Sequence, residues 1–265
     1  MSKILTSLHG KLIGLDDRAR LVVPGGVVAG DHGNQMSYNS PTNVVLFDDF
    51  VGAAVDTTKW TFTEGTDSAT SAAAYLAGGT GGILRMTTGD AGTGLAADTE
   101  QLTSALQWKA ANGGLVFQVR LALSAITTCW AYVGFTDVAT GLEAPVISAG
   151  SGDTFTTTAT DCVGFIFDTR QTNDTWWLVG AANGVVPTPQ NTGLAPVAAA
   201  YATFRIEVSA AGNAVFFING NQVGTSMTLA VTPTVALCPI VAVSKTSVAA
   251  SMTLDLDYIQ VAAVR

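Results

Sequence analysis

The chain is poor in the residues that usually carry chemistry. Only 12% of its 265 residues are charged, about half the ~25% common in globular proteins. Its three cysteines, Cys129, Cys162 and Cys238, are odd in number and widely separated. No Cys-x-x-Cys pair exists, which excludes a zinc ribbon or dithiol redox site. Cys129 and Cys162 sit in apolar runs and are expected to be unpaired thiols acting as small core residues. The two histidines, His9 and His32, both lie near the N-terminus, so the rest of the chain has no imidazole for a Ser-His-Asp triad. Neither a His-Glu-x-x-His zinc motif nor a Gly-x4-Gly-Lys-Ser/Thr phosphate loop is present, and the Gly run Gly78, Gly79, Gly81, Gly82 leads into a strand and supplies a turn. No apolar run reaches the ~18 residues of a membrane span, and Met1–Gly10 lacks a signal-peptide core. A soluble protein made in the cytoplasm is expected.

The charge is also one-sided. Residues 1–43 carry Lys3, Lys11, Arg18 and Arg20 against Asp16, Asp17 and Asp31; residues 44–265 carry eight cations against seventeen anions, which makes up the formal net charge of −8. An acidic body excludes nucleic acid as a partner, because binding it requires a basic footprint that displaces counterions. What is abundant is apolar, 48% of the chain, set among Thr, Ser, Asn and Gly of the kind found in strands and turns.

Two regions follow. Residues 1–43 form an extended N-terminal arm of short apolar patches: Leu12, Ile13 and Leu15; Leu21, Val22 and Val23; Val27 and Val28. Pro24, Gly25, Gly26 and Gly30 break them up. The patches are too short for a core and too apolar for a solvated linker. Either the arm folds back over its own domain, or it docks on another subunit by adding strands to a sheet edge. Residues 44–265 carry short strands in quick succession. Leu115, Phe117, Val119, Leu121 and Leu123 alternate with more polar neighbours, the mark of a half-buried strand. Asn219-Gly220 between Ala214–Ile218 and Gln222–Gly224 is a hairpin signal. Thr99–Trp108 is the one helical candidate, with a short turn or a strand as the alternatives. Many short strands with turns between them predict an antiparallel sandwich.

Three segments carry a resemblance. Leu46-Phe47-Asp48-Asp49-Phe50 with Val55–Trp60 resembles the first strand and loop of concanavalin A-like lectin and glucanase sandwiches. Phe216–Gly224 resembles the hairpin of laminin-G-like members, and Leu256–Val261 their closing strand. The resemblance spans residues 44–265 and implies an all-β, jelly-roll-like sandwich. It also implies a structural calcium near the last strand, with Asp257 as the matching residue and a solvated acidic face as the alternative. Asp48-Asp49 is equally open, since calcium takes several oxygens. The whole chain, with its arm and its Ala/Thr/Gly-rich sandwich, further resembles structural proteins of tailed-bacteriophage virions.

Glycoside hydrolases of this fold carry Glu-x-Asp-x-x-Glu on one strand, which brings two carboxylates together. The four glutamates here, Glu64, Glu100, Glu143 and Glu207, do not form that motif, and Glu64 and Glu100 lie outside any clear core strand. No catalytic residue and no cofactor are expected. Trp176 and Trp177 must point to opposite faces of a strand. Val163, Phe165 and Phe167 against Ile166, and Val215–Ile218, are likewise apolar on both faces. Something therefore covers an outer face: a loop or the arm, a subunit interface, or a bound sugar stacked on an aromatic ring. The leading expectation is a non-enzymatic capsid decoration protein of a bacteriophage virion, made in the bacterial cytoplasm. It would be a homo-oligomer that binds the major capsid protein or its neighbours. The alternative is a carbohydrate-binding module of a phage appendage.

Overall fold

The computed structural model describes residues 4–8, 11–15, 21–22 and 43–264, except 53, 67–71, 78–80, 91–97, 143, 149–152 and 248–249. The strands are β1 (Ile4–Leu8), β2 (Lys11–Leu15), β3 (Leu21–Val22), β4 (Asn43–Asp48), β5 (Thr61–Glu64), β6 (Ala72–Tyr75) and β7 (Leu84–Thr87). Then come β8 (Glu100–Thr103), β9 (Leu115–Leu123), β10 (Cys129–Thr136), β11 (Val146–Ser148), β12 (Phe155–Thr157), β13 (Cys162–Asp168) and β14 (Trp177–Ala181). The last six are β15 (Gln190–Asn191), β16 (Ala202–Val208), β17 (Ala214–Ile218), β18 (Asn221–Met227), β19 (Cys238–Lys245) and β20 (Thr253–Val264).

The chain divides into two compact units, Met1–Val45 with Val264–Arg265, and Leu46–Ala263. In the first, β1, β2 and β3 form an antiparallel meander in register Ile4↔Gly14 and Leu15↔Leu21. Leu12, Ile13 and Leu15 fall on β2, and Leu21 and Val22 on β3. Val23, Val27 and Val28 lie outside the described residues.

The second unit is built from two antiparallel sheets. Sheet A runs β15-β14-β13-β10-β19-β8-β5; sheet B has eight strands, with a main path β18-β17-β16-β9-β20-β7-β6. Alternation decides which side chains meet between them. Phe117 of β9 meets Phe135 of β10 edge-on at 5.5 Å. Phe165 of β13 packs between Phe204 of β16 (5.1 Å) and Phe216 of β17 (5.4 Å). Trp176 lies 4.6 Å from Phe204 and is buried in this interior. At the β17–β18 hairpin, Asn219 (φ 51°) and Gly220 (φ 79°) both take the left-handed conformation that a two-residue primed turn requires.

The strands of sheet A that are apolar on both faces have a cover of their own, whereas on β17 of sheet B the outward Val215 and Phe217 are half-buried. The outer face of sheet A carries Trp130, Tyr132, Ile166, Trp177, Val179 and Ile240, all buried together in a second cluster. The β11–β12 hairpin lies against it: Phe155 meets the Trp177 ring edge-on at 5.3 Å, and Trp130 donates its indole N–H to the Val146 carbonyl at 3.0 Å. Gln171 ties the hairpin down by donating to the Thr154 carbonyl at 3.0 Å. Of the covers expected for sheet A, the structure supplies a loop of the same domain. Trp177 thus leaves the main core, as alternation demands, yet is only 7% exposed. The tight fit includes Gly164, where a Cβ would sit 2.6 Å from the Tyr132 ring.

Of the readings open for Thr99–Trp108, the strand holds and the helix does not: Glu100–Thr103 is strand β8, and Trp108 bridges to Leu237. One local expectation needs correction. Glu64 and Glu100 do lie on strands, β5 and β8, and face each other in register. The three cysteines are buried free thiols. Burial, and secondarily the Asp168 carboxylate, pushes the Cys129 thiol far above its ordinary range.

Candidate functional site

The outer face of sheet B gathers polar and aromatic groups from four separate stretches of chain. Strand β9 is the base. Its inward row, Phe117, Val119 and Leu121, is buried, so Gln118 and Arg120 point outward. On the neighbouring strand, β20, the register shifts between Leu256 and Tyr258. This bulge changes which residues face in. Leu254 and Leu256 point inward before it, and Ile259 and Val261 after it. Plain alternation through the strand would have sent Tyr258 into the core with Leu254 and Leu256. Instead, Tyr258 faces outward opposite Arg120, and Asp257 reaches the same row.

The groups then bind one another. The Arg120 guanidinium donates to Asp257 and lies over the Tyr201 ring, 4.4 Å from its centroid. Gln118 donates to the Tyr258 hydroxyl at 2.7 Å, and Phe47 lies 6.2 Å from the Tyr258 ring. On β7, Arg85 grips Asp255 through two N–H···O bonds of 2.7 Å each. On β16, Arg205 pairs with Glu207 and lies 5.6 Å from the Phe217 ring. Burial, followed by the carboxylates of Asp255 and Asp257, raises the Tyr201 phenol above its usual range, so it remains a neutral hydroxyl. The Asp255 hydrogen bonds hold Arg85 more firmly protonated still. The face is far from dry: the Arg120 side chain is 42% exposed and Phe47 37%.

Tyr201 also borders a cleft of about 200 Å³, lined with it by Leu121, Trp176, Leu194, Phe204 and Asn219. Leu194 and Val197 line it as well and are exposed to solvent.

Asp257, the calcium candidate, is committed to a guanidinium. Among the described residues no group of three or more His, Cys, Asp and Glu is placed to hold a metal. Asp48 has a structural task, accepting from the Phe50 N–H (2.9 Å) and the Trp60 indole (2.8 Å). Glu143 lies outside the described residues. The arm residues and the strip fall in different units; Trp176 and Trp177 are both buried, Trp176 in the wall of the cleft. No stretch of the sequence sets several donors beside an aromatic residue; the structure assembles them from residues 85, 118–120, 201 and 255–258. A parity break, with apolar residues at 254 and 256 and then at 259 and 261, was the one signal in the sequence.

No family model matches the chain, and no curated protein matches its sequence. Solved structures do resemble it. An endo-1,3-β-glucanase from Streptomyces sioyaensis is 14% identical with a TM-score of 0.54, over 84% of this chain and 97% of that one. The carbohydrate recognition domain of Emp47p is 10% identical with a TM-score of 0.54, over 82% and 93%. The cellulose-induced protein Cip1 is 12% identical with a TM-score of 0.53, over 82% and 96%. At these identities the likeness shows the fold. The chain is a concanavalin A-like, jelly-roll β-sandwich.

Proposed function

We propose that this protein is a non-catalytic carbohydrate-binding sandwich that holds a neutral glycan on the outer face of sheet B. The observation that carries this reading is the strip of Tyr201, Arg120, Asp257, Tyr258 and Gln118. A pyranose ring presents an apolar face edged by hydroxyls, and it is recognised by aromatic or planar surfaces flanked by donors and acceptors. The strip offers both, with the side chains already held by mutual hydrogen bonds, so little rotamer entropy remains to be lost on binding.

Charge narrows the ligand. Arg85, Arg120 and Arg205 are each matched by an acid, Asp255, Asp257 and Glu207. A strip neutral on balance favours neither a uronate or sulfated chain nor an amino sugar. The same pairing argues for binding without cleavage. Glycoside hydrolysis requires one carboxyl group free to protonate the leaving oxygen and a second free to attack or activate water. Here both oxygens of Asp255 are engaged by Arg85, and Asp257 is engaged by Arg120. The names of the structural neighbours, a glucanase and a carbohydrate recognition domain among them, are compatible with this reading. Shell decoration, the leading expectation from the sequence, rests on the arm patches and on composition. Neither the fold nor the strip favours it.

A glycan array probed with the full chain tests the proposal. Retention of neutral oligosaccharides, lost in Tyr201→Ala and weakened at least about tenfold in Arg120→Ala (roughly 1.4 kcal/mol), is expected. An empty array, or binding indifferent to both substitutions, overturns it.

A further inference from the structure

A lysine and an aspartate face each other in the interior of the sandwich, where neither charge reaches water. Lys245 ends β19 and is 0% exposed; Asp98 immediately precedes β8 and is 1% exposed; the Nζ–Oδ1 separation is 3.8 Å. Their meeting is fixed by register. β19 and β8 are antiparallel with Val243 opposite Glu100, so the next residues on the same face are Lys245 and Asp98. Glu100, fully buried, is on that face too, diagonal to Lys245 and within reach of a long side chain.

As an ion pair this arrangement is poor. Two charges taken out of water need close contact and further hydrogen bonds to be compensated. The separation exceeds a hydrogen bond, and neither Asp98 oxygen has a hydrogen-bond partner among the described residues. An amide between the two side chains would remove both charges and leave one N–H and one C=O. We propose that Lys245 and Asp98 are the reacting pair of an intramolecular isopeptide bond, with Glu100 as the proton carrier.

The chemistry balances without any co-reactant. The Lys245 ammonium passes a proton to the Asp98 carboxylate, giving an amine and a carboxylic acid. The nitrogen lone pair attacks Asp98 Cγ, and a C–N bond forms as the C=O π bond opens. The Glu100 carboxyl takes a proton from nitrogen and delivers one to the departing hydroxyl. The C–O bond breaks, water leaves, and Glu100 ends as it began. Exclusion of solvent opposes the reverse hydrolysis. Cys129, the neighbour of Lys245 on its other side, does not compete as a nucleophile, because burial and the Asp168 charge keep its thiol protonated.

Intact-mass spectrometry of the full chain under denaturing conditions decides the matter. The expected mass is one water below that of the sequence, with tandem spectra showing a branched peptide that joins Asp98 to Lys245. A chain of full mass overturns the proposal, and so does a water loss located elsewhere, such as a succinimide. Asp98→Asn should lose one ammonia instead and converge on the same product mass; persistence of its full mass counts against the pair. Glu100→Gln, with β-sheet circular dichroism retained, should stay largely at full mass, and undiminished cross-linking in that variant removes Glu100 from its role. Lys245→Met need not fold for the test to stand, since the mass of the unaltered chain is itself decisive.

Discussion

Truncating Phe155 to alanine removes the side chain through which the β11–β12 hairpin covers the outer face of sheet A. Phe155 is half-buried and meets Trp177 at 5.3 Å, above a cluster that includes Trp130, Tyr132 and Ile166. Emptying the site of a fully buried phenylalanine costs about 3–5 kcal/mol, and an edge-on aromatic pair contributes about 0.5–1.5 kcal/mol beyond its area. Scaled to half burial, the loss comes to roughly 2 kcal/mol. Urea unfolding followed by tryptophan fluorescence should show that loss as a lower midpoint at unchanged slope. It should also show a red-shifted native spectrum, as Trp177 meets water. Leu194→Ala, at a side chain 44% exposed and outside the second cluster, should change stability by less than about 0.5 kcal/mol. A Phe155→Ala protein as stable as this control would mean that the hairpin does not seal the second cluster. The doubled apolar strands would then need another cover.

Three further outcomes follow from the same packing and electrostatics. Gly164→Ala places a methyl group 2.6 Å from the Tyr132 ring and 2.7 Å from the Val133 carbonyl; calorimetry should show a destabilisation of about 1–3 kcal/mol, and an unchanged melting temperature would contradict that fit. Cys129, Cys162 and Cys238 are buried and free, so a thiol reagent should label none in the native protein and all three after denaturation. The Tyr201 phenol is raised above its unfolded value. Its contribution to stability is therefore complete below about pH 10 and declines as pH rises through the folded value. Tyr201→Phe, compared with the unaltered chain over a pH series, should differ in pH dependence only in that alkaline window. A divergence below pH 9 would point to another group.

The legible parts of the fold were those in which neighbours in sequence are neighbours in space. Asn219-Gly220 declared its turn because the left-handed conformation is a property of those two residues. Leu115–Leu123 declared its buried face because period-two alternation is local. The stretch around Glu100–Thr103 was ambiguous because that strand is buried on both faces, so its polarity carries no period. Two of its polar side chains reach distant backbone instead: Gln101 donates to the Gly141 carbonyl at 2.9 Å and Thr103 to the Ala139 carbonyl at 3.2 Å. The candidate site was hardly legible at all. Arg85 and Asp255 are 170 positions apart, and Arg120 and Asp257 137; only the strand order of sheet B makes them partners. The bulge that turns Tyr258 outward could be inferred from the shift in apolar parity, but pattern reading that assumes a regular strand passes over it.

The central claim, that the outer face of sheet B holds a neutral glycan, is tested most directly by mapping where the sugar lands. Backbone amide chemical shifts of the isotope-labelled full chain would be followed during titration with a neutral oligosaccharide retained on the array. Perturbations should cluster at Arg120, Tyr201, Thr203, Asp257 and Tyr258, with Leu194 and Asn219 shifting too where the ligand enters the adjoining cleft. Strands β11 and β12, which lie against the outer face of sheet A, should remain unmoved. Shifts centred on that hairpin, with the strip silent, would contradict the account and place the sugar on sheet A.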